Sequence, residues 1–293
     1  MNNQRLGSLL VLGANGMLGR IIFAYFKSEN PDFTWGTRRK LWGKKILKFD
    51  AKTCDKDFKK IFKKLKKIDY VINCIGIVEK NADINEVIKI NALLPHKLEQ
   101  FAQKYGFRLI HVSSDAVFSE TQTLANEKIL PMPTTIYGFS KFLGETFSKN
   151  AITFRTSILG FDPKDHKGIL EWTLGRKKRI KNYTNQKWSG CTTLQFAKLC
   201  GRIISQNKFE FLRKKSPIFH FAPLGPIDKY KIVKTILKES HLHLKIRPFR
   251  GNRLTRVLTT LYFDYLFDSS YTNKIDLALR ELLLFEKTLK KHV

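Results

Sequence analysis

Acidic residues are scarce in this sequence: 25 Asp and Glu stand against 54 Lys and Arg, a net charge of +29 over 293 residues. Such a field would attract nucleic acid, an anionic membrane surface or a small polyphosphorylated ligand. No helix-turn-helix, finger or aromatic-basic RNA signature accompanies it, so nucleic acid is not expected as a partner. Long apolar runs are also missing. None reaches the ~20 residues that span a bilayer, which excludes an integral membrane helix, and the chain enters a strand-like segment almost at once, so no export signal is expected. Cysteine is sparse and unpatterned. Cys54, Cys74, Cys191 and Cys200 form no CxxC pair, which points to reduced thiols, a cytoplasmic location and no zinc site. His241 and His243 have no further ligands nearby, so no metal is expected there.

Much of the positive charge has a plain explanation. From Lys56 to Lys67, Phe58, Ile61, Phe62 and Leu65 form one apolar stripe, and seven lysines take the rest of the surface. That is the pattern of an amphipathic helix with a solvated face.

What the chain does have is a glycine loop. The apolar run Leu9-Leu10-Val11-Leu12 ends in Gly13, Gly16 and Gly19, and Leu18, Ile21, Ile22 and Tyr25 then recur at helical spacing. This is a strand, a tight turn and a helix. Gly13 permits the turn, Gly16 removes a side chain that would keep a pyrophosphate off the backbone, and Gly19 lets helix and strand pack closely. The helix N-terminus, with free N–H groups and the positive end of its dipole, is then an anion site. The loop predicts a bound dinucleotide.

Four more strands follow, at 32–37, 45–49, 69–76 and 108–112. The end of the second strand meets the adenosine ribose in such a fold, where a carboxylate takes a 2′-hydroxyl and an arginine accommodates a 2′-phosphate. Here the residues are Thr37-Arg38-Arg39, which predicts NADPH, with NADH as the alternative. The expected cofactor surface comprises Gly13, Asn15, Gly16, Met17, Leu18 and Gly19, then Arg38 and Arg39, Asp50 and Ala51 after the third strand, Cys74, Ile75 and Gly76 after the fourth, and Lys141. Asn91 lies in the next helix, where an internal hydrogen bond bracing that helix is expected. The fifth strand delivers Ser113-Ser114-Asp115-Ala116 to its carboxyl end, where ligands bind in parallel sheets.

Tyr137-Gly138-Phe139-Ser140-Lys141 carries the chemistry. On a helix, Tyr137 and Lys141 share a face one turn apart. A tyrosine titrates near ~10, and a neighbouring ammonium is expected to lower that value. The same ammonium can hold the nicotinamide ribose, and Ser114 can bind the substrate oxygen.

These segments, with Glu145, Phe154-Arg155-Thr156-Ser157, Gly168-Ile169-Leu170-Glu171-Trp172 and the stretch from Tyr183 to Thr193, resemble the extended short-chain dehydrogenase/reductases, specifically the dTDP-4-dehydrorhamnose reductase-like sugar-nucleotide reductases. The likeness runs from Leu9 to about Leu199. It implies Ser114, Tyr137 and Lys141 as the catalytic set, with Asp115, Ala116 and Trp188 against the sugar. Ala116 stands where many members have an aromatic residue and where the 4,6-dehydratases have a second acid, so dehydration is disfavoured.

The expected architecture is an α/β fold, a Rossmann-type parallel sheet with helices on both faces and a smaller, mainly C-terminal substrate lobe. The cofactor domain is expected over 1–157 with a return near 187–222, including a late strand at 216–221, and the substrate lobe over 158–186 and 223–293. Arg247, Arg250, Arg253 and Arg256 in that lobe are candidates to close over a nucleotide diphosphate. The expected activity is reduction of a 4-keto-6-deoxy nucleotide sugar for surface polysaccharide. The alternatives are an NAD-dependent epimerase and a non-catalytic NADP-binding regulatory subunit. The partner is a nucleotide-diphosphate sugar, and the candidate assembly is a homodimer.

Overall fold

Every residue of the first apolar run is buried in a strand, Leu9–Leu12 (β1). Its side chains alternate between two cores: Leu9 and Val11 lie in one, Leu10 and Leu12 in the other, as the two-residue period of a strand covered on both faces requires. The computed structural model describes residues 7–39, 45–78, 81–163, 168–252, 254–267 and 271–291. Arg253 lies outside them.

The remaining strands are β2 (Thr34–Arg38), β3 (Ile46–Lys48), β4 (Tyr70–Asn73), β5 (Arg108–Val112), β6 (Ala151–Arg155), β7 (Ile158–Leu159), β8 (Ile180–Tyr183), β9 (Gln186–Thr192), β10 (Ile218–His220), β11 (Leu224–Asp228), β12 (Ile246–Phe249) and β13 (Leu254–Arg256). The helices are α1 (Met17–Glu29), α2 (Cys54–Leu65), α3 (Ile84–Val87), α4 (Leu94–Tyr105), α5 (Ile136–Leu143), α6 (Ile169–Leu174), α7 (Thr193–Ser205), α8 (Phe209–Lys215), α9 (Lys229–Glu239), α10 (Phe263–Leu266) and α11 (Ile275–Lys291). Seven strands form one parallel sheet in the order β10-β6-β5-β4-β1-β2-β3. Helices cover both faces, which gives the Rossmann-type fold.

On one face α2 and α4 meet through stacked rings, Phe58 on Phe101 at 4.7 Å and Phe62 on Tyr105 at 4.1 Å. The predicted apolar stripe is this contact, and all seven lysines from Lys56 to Lys67 are exposed. On the other face α1 packs on α7.

The second layer of structure is a small sheet in which β9 pairs with β11, β13 and β7, beside a separate β8–β12 pair. Thus β9 belongs to the smaller sheet, whereas α7 and β10 lie with the main one. Thr192 closes β9 and opens α7 with a reciprocal cap, its hydroxyl accepting from Gln195 N while Gln195 accepts from Thr192 N, so the chain changes layer there without an intervening loop. The ion pair of Arg20 and Glu286 ties α1 to α11. The four cysteines are free. Among the described residues no helix is long and apolar enough to cross a membrane, and no three His, Cys, Asp or Glu side chains are grouped to hold a metal.

Candidate active site

The glycine loop has the geometry that its spacing demands. Gly13 sits at φ +79°, and a Cβ on Gly19 would lie 2.2 Å from the Gly13 carbonyl oxygen, so α1 can approach β1 only through glycine. Over Gly16, by contrast, the one backbone atom near an added Cβ is 3.5 Å away. Among the described residues no side chain caps α1, which leaves its first N–H groups without a side-chain partner, as a phosphate cradle requires. Asn15 lies in this turn, and Met17 and Leu18 open α1, with Leu18 buried in the core.

The neighbouring strand ends gather around the loop. Thr37 fixes it from β2, its hydroxyl accepting from Gly13 N at 3.2 Å and its carbonyl from Ala14 N at 3.1 Å. Arg38 follows half-buried and Arg39 exposed. Burial holds the Arg38 guanidinium below its ordinary pKa. Beyond β3, Asp50 accepts from Lys52 N and opens the turn that begins at Ala51. Cys74 and Ile75 lie against Gly13, where a Cβ would approach them within 3.3 Å, and Gly76 is open apart from Asn91.

Ser114, Asp115 and Ala116 leave β5 in a tight turn. Ala116 N donates to the Ser114 hydroxyl at 3.1 Å, which donates to Asp115 Oδ1 at 3.2 Å. Helix α5 comes down on this turn through Gly138, since a Cβ there would lie 2.2 Å from the Ala116 carbonyl. That contact sets Tyr137 beside Ser114, whose hydroxyl interacts with the phenol.

Lys141 is 4% exposed and donates to the Val112 carbonyl at 2.7 Å. Burial pulls its pKa down to about 8, with Glu145 and Cys74 opposing. The expected lowering of Tyr137 by Lys141 does not hold. Burial pushes the phenol up, the Asp115 charge adds to that, and the Ser114 hydrogen bond opposes it. The Lys141 ammonium is engaged by the Val112 carbonyl at the end of β5, and its charge is not among the influences that shift the phenol.

Asp115 is likewise pushed up by burial, with Arg256 on β13 opposing most strongly. Trp188, half-buried on β9, donates to the Ser157 hydroxyl at 2.8 Å. The structure separates the lobe arginines: Arg256 pairs with Glu120 at 3.5 Å and its charge acts on Asp115, whereas Arg247 lies in another cavity with Trp172.

A profile of the RmlD substrate binding domain matches residues 7–258. The chain belongs to that family. Solved structures share the fold at low identity. The dTDP-4-dehydrorhamnose reductase of Yersinia enterocolitica is 22% identical, with a TM-score of 0.73 over 95% of this chain and 99% of that one. The dTDP-4-dehydrorhamnose reductase of Bacillus anthracis str. Ames in complex with NADP is 18% identical, with a TM-score of 0.74 over 97% and 99%. A UDP-N-acetylglucosamine 4-epimerase from Bacillus cereus reaches 0.72 at 18% identity over 96% and 99%, so the fold does not choose between reductase and epimerase. Among curated proteins, the methionine adenosyltransferase 2 subunit beta of Xenopus tropicalis is 31% identical over 147 residues, which is 46% of this chain and 41% of that relative.

Within this RmlD-type chain two groups named in the sequence have partners that the sequence does not announce. Asn91 braces more than its own helix. It accepts from Ile77 N and donates to Ile77 O, each at 2.8 Å, and donates to the Ser140 hydroxyl at 3.0 Å. It sits in a π-helical turn, Ile88–Leu93, and so joins the loop after β4 to the helix that carries Tyr137 and Lys141. Glu145 accepts from Ser113 Oγ at 2.9 Å and from Arg155 Nε and Nη2 at 2.7 Å each, and Arg155 Nη1 lies 3.4 Å from His220 Nε2. No spacing rule links Glu145 to Arg155. Their only signal is charge inside otherwise apolar segments.

Proposed function

We propose that the protein reduces a 4-keto-6-deoxy nucleotide sugar with NADPH, in the supply of sugars for a surface polysaccharide. The observation that carries this is the convergence of Ser114, Tyr137 and Lys141 at the carboxyl end of β5, beside an open glycine loop.

When bound, the cofactor supplies the hydride. In this reading the Gly13–Gly19 turn and the start of α1 hold its pyrophosphate, Arg38 and Arg39 its 2′-phosphate, and Lys141 its nicotinamide ribose. Asp50, Ala51, Cys74, Ile75 and Gly76 form the adjoining wall. Ser114 hydrogen-bonds the keto oxygen, and Tyr137 gives it a proton as the ketone becomes an alcohol. The raised phenol pKa keeps Tyr137 protonated before the reaction. Asp115 and Ala116 after β5, Trp188 of β9 and Arg256 of the lobe formed by 158–186 and 223–293 contact the nucleotide sugar. Ala116 offers no acid for dehydration.

The test is to mix the protein with NADPH and 4-keto sugar nucleotides and follow absorbance: cofactor consumed in proportion to substrate is expected. Turnover without net consumption would make the protein an epimerase. Binding of a protein partner is the second reading, favoured by the Xenopus relative, although the catalytic set is intact. Exposed Leu93, Ile136, Phe139 and Leu143, each at least half exposed, support a homodimer through α5. Free, unpatterned cysteines support a cytoplasmic location.

Replacing Arg38 and Arg39 by Ala is expected to weaken NADPH far more than NADH, because only NADPH carries the 2′-phosphate. Dissociation constants for both cofactors decide it: equal losses would show that the pair adds general field and no recognition.

A further inference from the structure

The proposed reaction does not use a dense cluster of positive charge in the smaller lobe. Strands β8 and β12 form a parallel ribbon with Lys181 opposite Arg247 and Tyr183 opposite Phe249. One face is apolar: Ile180 is buried with Val233 and Leu237 of α9, and Leu244 and Ile246 pack against them. Because alternate residues point to opposite faces of a strand, Lys181, Tyr183, Arg247 and Phe249 share the other. Beside it, the end of α6 completes a cavity of about 480 Å³ lined by Trp172, Arg176, Arg179, Ile180, Lys181 and Arg247. Four of these six are exposed cations and none is an acid. Lys177, Lys178, Lys245 and Arg250 are exposed in the same two segments, and neither 172–181 nor 242–252 contains an Asp or Glu. None of the eight cations pairs with a carboxylate among the described residues.

We propose that this ribbon face docks on an anionic lipid membrane, with lipid phosphates in the cavity among Arg176, Arg179, Lys181 and Arg247. Basic side chains around exposed aromatic and aliphatic ones are what a headgroup layer binds, since the cations meet the phosphates and the apolar groups enter the interface. Trp172, Phe249 and Leu242 are 37%, 43% and 36% exposed. A nucleic-acid strand fits less well, because it needs flat rings free for stacking. One face of Trp172 already carries the Arg176 guanidinium at 4.4 Å. Tyr183 and Phe249 meet edge to face at 60° and offer no parallel platform.

The test is sedimentation of the full chain with vesicles at about 0.15 M salt, where diffuse surface charge is largely screened. Binding is expected to vesicles of phosphatidylcholine mixed with phosphatidylglycerol, and not to phosphatidylcholine alone. The triple change Arg179→Glu, Lys181→Glu and Arg247→Glu should lower the partition coefficient at least 100-fold, on about five-fold per cation removed and more for reversal. Its circular dichroism and NADPH binding should match the wild type. The matched control Lys59→Glu, Lys60→Glu and Lys63→Glu on α2 should bind vesicles within a few-fold of wild type. Trp172→Phe should remove a blue shift of tryptophan fluorescence seen on anionic vesicles. Equal losses in both triple variants would overturn the proposal in favour of net charge alone. Failure to bind anionic vesicles would overturn it too, and so would tight binding of a single-stranded oligonucleotide lost only in the ribbon variant.

Discussion

Tyr137→Phe is expected to reduce kcat for the keto sugar by roughly 10² to 10⁴-fold, the usual worth of a positioned general acid, with NADPH affinity and thermal stability little changed. Among the described residues Ser114 is the hydrogen-bond partner of the phenol, so removal of the hydroxyl leaves α5 seated on Gly138. Single-turnover kinetics with saturating NADPH measure the loss. A wild-type rate in the variant would leave Tyr137 out of the chemistry, and a biological activity that survives unchanged would favour partner binding. The wild type should also show an alkaline limb. The Lys141 charge is present below about 8 and is lost as pH rises through that value, so kcat/KM, which follows the free enzyme, should fall there.

Arg155→Met is expected to destabilise the protein by about 3–5 kcal/mol, because it strands a buried carboxylate. The side chains of Arg155 and Glu145 are 5% and 0% exposed. With Arg155 gone, Glu145 loses both guanidinium bonds and keeps, among the described residues, the bond from Ser113 and the charge of Lys141, and Phe118 loses the guanidinium over it at 5.2 Å. For a chain of this size the loss corresponds to a fall in Tm on the order of 10 °C. The double change Arg155→Met with Glu145→Leu should recover much of it, since the uncompensated charge is then absent. A single variant as stable as wild type, by urea unfolding, would show that the pair contributes little.

The elements that carry the site were legible because each is announced by local spacing. The glycine loop, the basic end of β2, the serine turn after β5 and the four-residue step from Tyr137 to Lys141 are all short-range patterns. What escaped depends on tertiary contact. The direction of the Lys141 ammonium is set by the Val112 carbonyl on another strand, and nothing within α5 encodes it. Likewise Arg247 and Arg256 look equivalent along the chain, yet β12 pairs with β8 and β13 with β9, which sends one to the ribbon and the other toward Asp115. Asn91 was visible as a polar residue in a helix, but its two partners, Ile77 and Ser140, lie in separate segments.

The place of β10 bears on how the chain is made. It is the outermost strand of the main sheet beside β6, yet β7 to β9 of the smaller lobe and the helices α7 and α8 are synthesised between them. Phe154 on β6 is fully buried, with Phe219 of β10 stacked on it at 5.8 Å and Phe196 of α7 meeting it edge-on at 5.9 Å. A nascent chain that has emerged only as far as Thr156 therefore leaves that edge of the sheet open, with an apolar ring and unpaired strand hydrogen-bonding groups exposed. The main sheet is therefore complete only once α7 and β10 have been made, and a fragment ending near residue 157 should aggregate, not persist as a soluble domain.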